Sequence, residues 1–321
     1  MTQQTSILTP LQIAIVTGGT SAERSISLQS AENVAMSLEA RGHCVRQFDL
    51  QFGLPDDIRI CDIVLPMAHG TDAEDGTLQS QLDFIEVPWF GSSAAASRLT
   101  FDKAATRRML EAAGLPIPPG QAFAATTSLT SVNEYAAELG FPVVVKPTSQ
   151  GSSVGISIVN NAADLPAAIQ SALQWGTDYL IERFIAGREI TVPVVDDFVF
   201  PAVEILPARR WFDYEAKYED DATKYCVNPS SISPAVAAIV LTACQTCGVT
   251  GISRTDLRID ENGQPWILEI NTIPGMTSHS LVPMSAAALG LSIGEIYEAL
   301  LRKQLGQSLQ LPWIRAKTHD P

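Results

Sequence analysis

The amino-acid sequence predicts an α/β protein of two or three domains. Three observations carry that expectation. Apolar β-branched runs alternate with segments of helical periodicity along the chain. Its 321 residues exceed what one ordinary hydrophobic core takes in. Its content, 46% hydrophobic and 17% charged, is that of a folded globular chain rather than a disordered one.

The elements follow in order. Leu11 to Val16 reads as a first strand, and Thr17-Gly18-Gly19-Thr20 as the turn after it. Ser21 is placed to cap a helix whose Ala31, Val34, Ala35 and Leu38 share one face, and Gly42 ends it. His43 to Leu50 and Asp62 to Met67 read as further strands, and Gly76 to Ile85 as a short helix before Pro88-Trp89-Phe90-Gly91. Together these make a doubly wound N-terminal domain. Leu99 to Ala113 reads as helix, and Gly114 to Pro119 as a rigid break. A second module has strands at Pro142 to Pro147, Val154 to Val159 and Tyr179 to Phe184, with a helix near Ala162 to Leu173. Strands at Glu189 to Val195 and Val199 to Ile205 open a third region. A polar, aromatic loop from Trp211 to Asn228, a helix from Pro234 to Gly248, a hairpin and two C-terminal helices complete it. The tail after Gly306 reads as loosely held.

Composition excludes some partners. A net charge of −14 argues against a nucleic acid held by phosphate neutralisation, though not against a nucleotide substrate. No signal peptide and no run of membrane-spanning length is visible, so a cytoplasmic location without membrane attachment is expected. Five scattered cysteines read as reduced thiols. Cys244 and Cys247 have CxxC spacing but lie in a helical segment with no second pair, so they read as packing residues.

The hairpin is the most informative feature. Asn262-Gly263 between two alternating apolar runs is a strong turn signal. With those two residues as the turn, every opposed pair of residue numbers sums to 525. Asp256 then faces Glu269, and Arg254 faces Asn271, all on one side of the ladder. Opposed carboxylates repel unless compensated, and oxygen-ligated Mg²⁺ is a natural compensator. An ordinary solvated strand face is the plainer alternative.

Two loops add chemistry. Gln150-Gly151-Ser152-Ser153-Val154-Gly155 follows Lys146 between two strands and is rich in backbone N–H donors suited to phosphate. It lacks the Gly-Lys-Ser/Thr of a Walker A loop, and a plain hairpin turn fits it equally well. Lys146 at the strand end reads either as a phosphate contact or as a snorkelling edge lysine. Glu23 after the first turn reads as a helix-dipole complement or as a counter-ion for a substrate ammonium. His69 stands at the carboxyl end of the third strand, where open α/β sheets bind ligands.

At this point the residues resemble a known family. Thr17 to Arg24, His69-Gly70 with Glu74 to Gln79, Lys146-Pro147 with Gly151 to Gly155, Glu215 to Tyr218, and Glu269 to Pro283 occur in the order seen in D-alanine:D-alanine ligases. These are ATP-grasp enzymes of peptidoglycan synthesis. The resemblance covers nearly the whole chain and implies a three-domain ATP-grasp architecture. The expected divisions are a substrate domain over 1–101, a central ATP-grasp domain over 102–184 and a catalytic domain over 185–321. It implies ATP, two Mg²⁺ with Mn²⁺ as a possible substitute, D-alanine as substrate, and a homodimer.

The resemblance also implies roles. Asp256, Glu269 and Asn271 would ligate the metals. Lys103, Lys146 and Lys217 would meet phosphates, and Ser152 and Ser153 would lie in the loop that closes over them. Glu182 and Glu189 would lie near adenine and ribose, with the backbone around Arg183 and Ile185 reading the base. Glu23 would hold the first D-alanine's ammonium, oriented through Ser152 and Tyr218. His69, Ser280 and Leu281 would border the substrates, Ser280 and Leu281 receiving the second D-alanine. Arg254 and the Gly275 N–H would stabilise the tetrahedral oxyanion. Ala73 and Ser80 stand where the family often has glycine, and Arg183 where it often has lysine. Tyr218 favours a dipeptide over a depsipeptide product. Another ATP-grasp ligase and a non-catalytic nucleotide-binding protein are the alternatives. The first is disfavoured by Tyr218, Glu23 and Ser280-Leu281, the second by the intact Asp256, Glu269, Asn271, Lys103 and Lys146.

Overall fold

A computed structural model describes residues 9–207, 222–229, 232–307 and 311–313. The first unit comprises β1 (Gln12–Thr17), α1 (Arg24–Glu39), β2 (Cys44–Asp49), β3 (Ile63–Pro66) and α2 (Thr77–Phe84). Its strands are parallel in the order β2-β1-β3. Alternation along β1 explains how both faces are covered. Ile13 and Ile15 join a core with Ala31, Val34 and Leu38 of α1, while Ala14 and Val16 join another with Leu78 and Leu82 of α2.

Two boundaries in this unit differ from expectation. The helix starts at Arg24, and Ser21 does not cap it. The Ser21 hydroxyl instead donates to the His69 carbonyl at 2.7 Å and accepts the Glu23 N–H at 3.2 Å. It thus ties the first turn to the segment after β3. That strand ends at Pro66, so His69 lies beyond it rather than closing it.

The expected helix over Leu99 to Ala113 is two helices, α3 (Ala94–Phe101) and α4 (Lys103–Ala112). The Asp102 carboxylate accepts the N–H groups of Ala104 and Ala105, which starts a new helix there and puts Lys103 in its first turn. A four-stranded antiparallel sheet follows, built from β4 (Gly120–Ala124), β5 (Val143–Pro147), β6 (Ser157–Val159) and β7 (Asp178–Arg183) in the order β4-β7-β5-β6. Helices α5 (Leu129–Leu139) and α6 (Leu165–Leu173) pack on it through Val132, Ala136, Leu165 and Ala168. The sequence reading had neither β4 nor α5.

The third sheet joins β8 (Arg188–Val195), β9 (Phe198–Val199), β10 (Val203–Leu206), β11 (Lys224–Val227), β12 (Ile252–Ile259) and β13 (Pro265–Asn271). Its order is β11-β10-β8-β12-β13, with β9 on β8. Helix α7 (Pro234–Thr246) covers one face, packing Val236, Val240 and Ala243 on Ile190, Val192, Leu257 and Ile270. Cys244 and Cys247 are buried there as free thiols, and burial pushes both up in pKa, Cys247 to about 12. The opposite face carries Arg254, Asp256, Glu269 and Asn271 into the floor of the site, beside an apolar patch of Val203, Ile205 and Leu281.

The β12–β13 register corrects the two-residue turn. Near the turn the pairs are Ile259–Pro265, Arg258–Trp266 and Leu257–Ile267, one step from expectation. The Asp260 N–H donates to the Gln264 carbonyl, so Glu261, Asn262 and Gly263 form a three-residue loop. Gly263 takes a φ of 80°, which suits glycine. A bulge between Asp256 and Leu257 then absorbs one extra residue, Leu268. Beyond it Asp256 faces Glu269 and Arg254 faces Asn271, as expected.

Helices α8 (Leu281–Ala288) and α9 (Ile293–Gln304) return to the first unit. Val282, Ile293, Ile296 and Leu300 share a core with Leu11, Ile13 and Ile15. A charged cluster lies at this seam, with Glu298, His43 and Arg302 buried and Arg41 exposed. Glu298 lies 2.5 Å from Arg41 Nε, 3.1 Å from Arg302 Nε and 3.4 Å from His43 Nε2. Among the described residues no single helix is long and apolar enough to cross a membrane.

Candidate active site

Two cavities meet between the sheets. The larger, about 490 Å³, is bordered by Glu23, His69, Ser152, Arg254, Gly275 and Ser280, among others. The smaller, about 110 Å³, is bordered by Lys146, Ser153, Glu182, Ile185, Glu189 and Asp256, among others. Lys103, Gln150 and Glu269 belong to both walls. Lys103 Nζ donates to the Gln150 carbonyl at 2.5 Å and stands 3.1 Å from Glu269 Oε2. The junction is therefore a cation held between a loop carbonyl and a strand carboxylate.

In the larger cavity the Ser152 hydroxyl donates to the Glu23 carboxylate. Ser152 has a φ of 49° and Ser153 one of 60°, an uncommon pair of left-handed non-glycine residues. Consecutive side chains consequently face different cavities, Ser152 the larger and Ser153 the smaller. His69 is buried, with Nδ1 3.9 Å from Glu74 Oε1, and its Nε2 makes no hydrogen bond. Burial pushes its pKa down, but the neighbouring Glu74 and Glu23 outweigh that and raise it. Glu74 is fixed in turn by the Gly70 N–H at 2.7 Å. Ser280 precedes α8, and its hydroxyl accepts the Thr277 N–H at 3.0 Å. Leu281 follows on the same wall.

The smaller cavity holds the phosphate and base candidates. Lys146 is buried, not snorkelling, and lies 2.6 Å from Glu182 Oε2. Arg107 reaches the other Glu182 oxygen at 3.3 Å. The end of β7 has a special property. The Arg183 N–H donates to the Pro119 carbonyl and the Phe184 N–H to the Pro142 carbonyl. Proline has no N–H to return, so neither partner can donate back to the carbonyls of Arg183 and Phe184. The backbone here presents acceptors. Arg183's own side chain is exposed.

The acidic face is compensated differently from expectation. Asp256 accepts Arg254 through two bonds of 2.9 and 2.8 Å and the Thr191 hydroxyl at 2.6 Å. Glu269 has Lys103. The opposed carboxylates thus have cationic partners, and their opposition alone does not demand a metal. Among the described residues no group of three or more His, Cys, Asp or Glu side chains could hold a metal ion. The set Asp256, Glu269 and Asn271 is all hard oxygen on one strand pair. That suits an ion that takes its remaining ligands from water and phosphate. Lys217 and Tyr218 lie outside the described residues.

Sequence reasoning left out several lining residues. Gln150 enters through its backbone carbonyl, for which its residue type gives no signal. Glu74 sits in a segment that matched the family, yet only its hydrogen bond to Gly70 shows what it does. Arg258 and Leu268 border the smaller cavity, and the alternation through Asp256 already pointed Arg258 to that face.

Comparison with known proteins fits this arrangement. The family model described as D-ala D-ala ligase C-terminus matches residues 109–302. The chain is 38% identical over 303 residues to a D-alanine–D-alanine ligase from Gloeobacter violaceus, covering 92% of this chain and 100% of that protein. It is 39% identical over 317 residues to one from a Synechococcus species, covering 95% and 96%. A crystal structure of D-alanine–D-alanine ligase from Bacillus anthracis complexed with ATP superposes with a TM-score of 0.81 at 26% identity, covering 92% of this chain and 98% of that one. The relatives and the fold agree over nearly the whole length and the family model over residues 109–302, and the chain belongs to the D-alanine–D-alanine ligase family.

Proposed function

We propose that the chain joins two molecules of D-alanine into D-alanyl-D-alanine at the expense of ATP, as a step in making peptidoglycan precursor. One observation carries the reading: the two cavities share the wall of Lys103, Gln150 and Glu269. A phosphate chain running along the smaller cavity ends where a carboxylate in the larger one begins. That is the juxtaposition a carboxylate needs to attack a terminal phosphate.

The first D-alanine puts its ammonium on Glu23, which Ser152 orients. Its carboxylate attacks the γ-phosphate, the bond to ADP breaks, and an acyl phosphate forms. Lys103 and Lys146, with Lys217, offset the negative charge of the phosphates. Adenine lies against the carbonyl end of β7 and Ile185, with Glu182 beside it and Glu189 at the ribose. The second D-alanine sits between Ser280, Leu281 and His69, and its amine attacks the acyl carbon. Arg254 and the Gly275 N–H receive the oxyanion before phosphate leaves. The 150s loop, with Ser153, and the segment carrying Lys217 and Tyr218 keep water from the acyl phosphate. Asp256, Glu269 and Asn271 would hold Mg²⁺, or Mn²⁺ in its place, and the ions supply charge neutralisation on the phosphates.

The division at 1–101, 102–184 and 185–321 belongs to this reading, and the helix break at Asp102 supports its first boundary. A homodimer belongs to it too, and sedimentation would test that.

Release of ADP and phosphate from ATP is expected only when D-alanine is added, with D-alanyl-D-alanine identified by mass. L-alanine should give none. ATP that binds but is not hydrolysed with D-alanine would point to another acceptor or to a non-catalytic role. A narrower prediction concerns Gly151. A Cβ there would lie 2.5 Å from Glu23 Oε2, so Gly151→Ala must displace that carboxylate. The KM for D-alanine is expected to rise about tenfold, the loss of one charge-assisted bond, with ATP affinity unchanged. Equal losses for both substrates would contradict the placement of Glu23.

A further inference from the structure

Arg258 borders the smaller cavity, two residues beyond Asp256 on the same face of β12. It faces Glu189 across the β12–β8 ladder. Its guanidinium lies 5.2 Å from the centre of the Phe184 ring. Nη2 donates to the Gly187 carbonyl at 2.7 Å, and Nη1 stands 3.5 Å from Glu189 Oε2. Nε is buried and makes no hydrogen bond. A buried donor left unmade in a folded protein calls for a reason.

The rest of the guanidinium is held by its other contacts. Over the Phe184 ring and tied to the Gly187 carbonyl, the guanidinium has little freedom of its own. Its positive charge therefore stands at a fixed place beside Glu189. That leaves a fixed cation against Glu189 Oε2, beside a carboxylate whose lone pairs can accept hydroxyl groups. We propose that Arg258 is the positioning residue for Glu189, fixing its carboxylate to receive the ribose hydroxyls of the nucleotide, and that it thereby sets a preference for ribo- over 2′-deoxyribonucleotides. The inference rests on the reading of the smaller cavity as the nucleotide site.

The test is calorimetric binding of ATP and 2′-deoxy-ATP to the full chain, with KM values for ATP and D-alanine. The wild-type protein is expected to prefer ATP about tenfold, the scale of one hydrogen bond to a charged acceptor. Arg258→Met keeps an unbranched side chain for Phe184 but no charge. It should bring the two nucleotides within about twofold of each other and raise the KM for ATP, leaving that for D-alanine within about twofold. Glu189→Gln should do the same, and the double variant should lose no more than either single one. Arg258→Lys keeps the charge but not the planar fork, and should recover only part of the preference. It also carries the test should the methionine variant fail to fold.

Equal weakening of both nucleotides in Arg258→Met would reduce Arg258 to packing and overturn the proposal. So would a wild-type protein that binds both nucleotides equally. A wild-type protein that binds neither would instead overturn the nucleotide reading of the cavity, and this proposal with it.

Discussion

Replacing Glu269 with alanine is expected to lower ATP turnover by roughly 10²–10³-fold, the scale of losing one group that stabilises developing charge. Glu269 stands at the wall shared by both cavities, opposite Asp256 and 3.1 Å from Lys103. Its loss removes a carboxylate from the proposed metal set and unties Lys103 on that side. Lys103 keeps its bond to the Gln150 carbonyl, so no buried charge is stranded. The fold should therefore stand, with the thermal midpoint shifted by no more than a few degrees. Glu269→Gln, which keeps the shape and loses the charge, should be nearly as inactive. Full turnover in either variant would sink the assignment of phosphate and metal chemistry to this strand pair.

Glu298→Ala is expected to destabilise the protein by about 3–5 kcal/mol, the usual result of stranding a buried charge. Arg302 is only 2% exposed; the Gln307 side chain and the Thr9 carbonyl accept two of its N–H groups, but its charge is balanced by Glu298, which also receives Arg41. The same cluster makes stability depend on acid. Burial pushes the Glu298 carboxyl up, but Arg41 and Arg302 outweigh this and hold it below its ordinary value of 4.5. Its contribution is present above that value and is lost as pH falls through the folded one. Burial drives His43 below its ordinary 6.5, against the pull of Glu298. The fold thus favours neutral His43, and that preference is also lost as pH falls. The unfolding midpoint should drop between pH 7 and 4, and Glu298→Gln should flatten the part below pH 5. A Glu298→Ala protein as stable as wild type would show that the cluster contributes nothing net.

Much of the site could be read from residue order, and the hairpin shows both why and how far. Period-two alternation put Arg254, Asp256, Glu269 and Asn271 on one face. Two errors cancelled in the register, since the loop is one residue longer than expected and Leu268 adds one more. Side-chain period reports faces well and loop length poorly. Helix α5 was legible, since Val132, Tyr135, Ala136 and Leu139 stand at helical spacing after a capping Ser128. β4 escaped because Gly120-Gln121-Ala122-Phe123-Ala124 carries one large apolar residue. Asp102 was missed as a break because an acidic residue inside a helical pattern gives no sign that its carboxylate will cap the next turn. Contacts made by backbone, such as Gln150 on Lys103, have no signature in residue type at all.

The bulge at Leu268 has a further meaning for how this site can change. Ile267 and Ile270 both point into the core, and Leu268 and Glu269 both fill the gap between them on the cavity side. The strand carries one residue that its ladder does not use. Deleting Leu268 would leave Leu257 facing Ile267 and Asp256 facing Glu269, with no side chain changing sides. Leu268, one of the apolar residues that border the smaller cavity, is thus a removable insert. The cavity's size can drift through gain or loss of a single codon while the acidic pair stays in phase with the core beneath it.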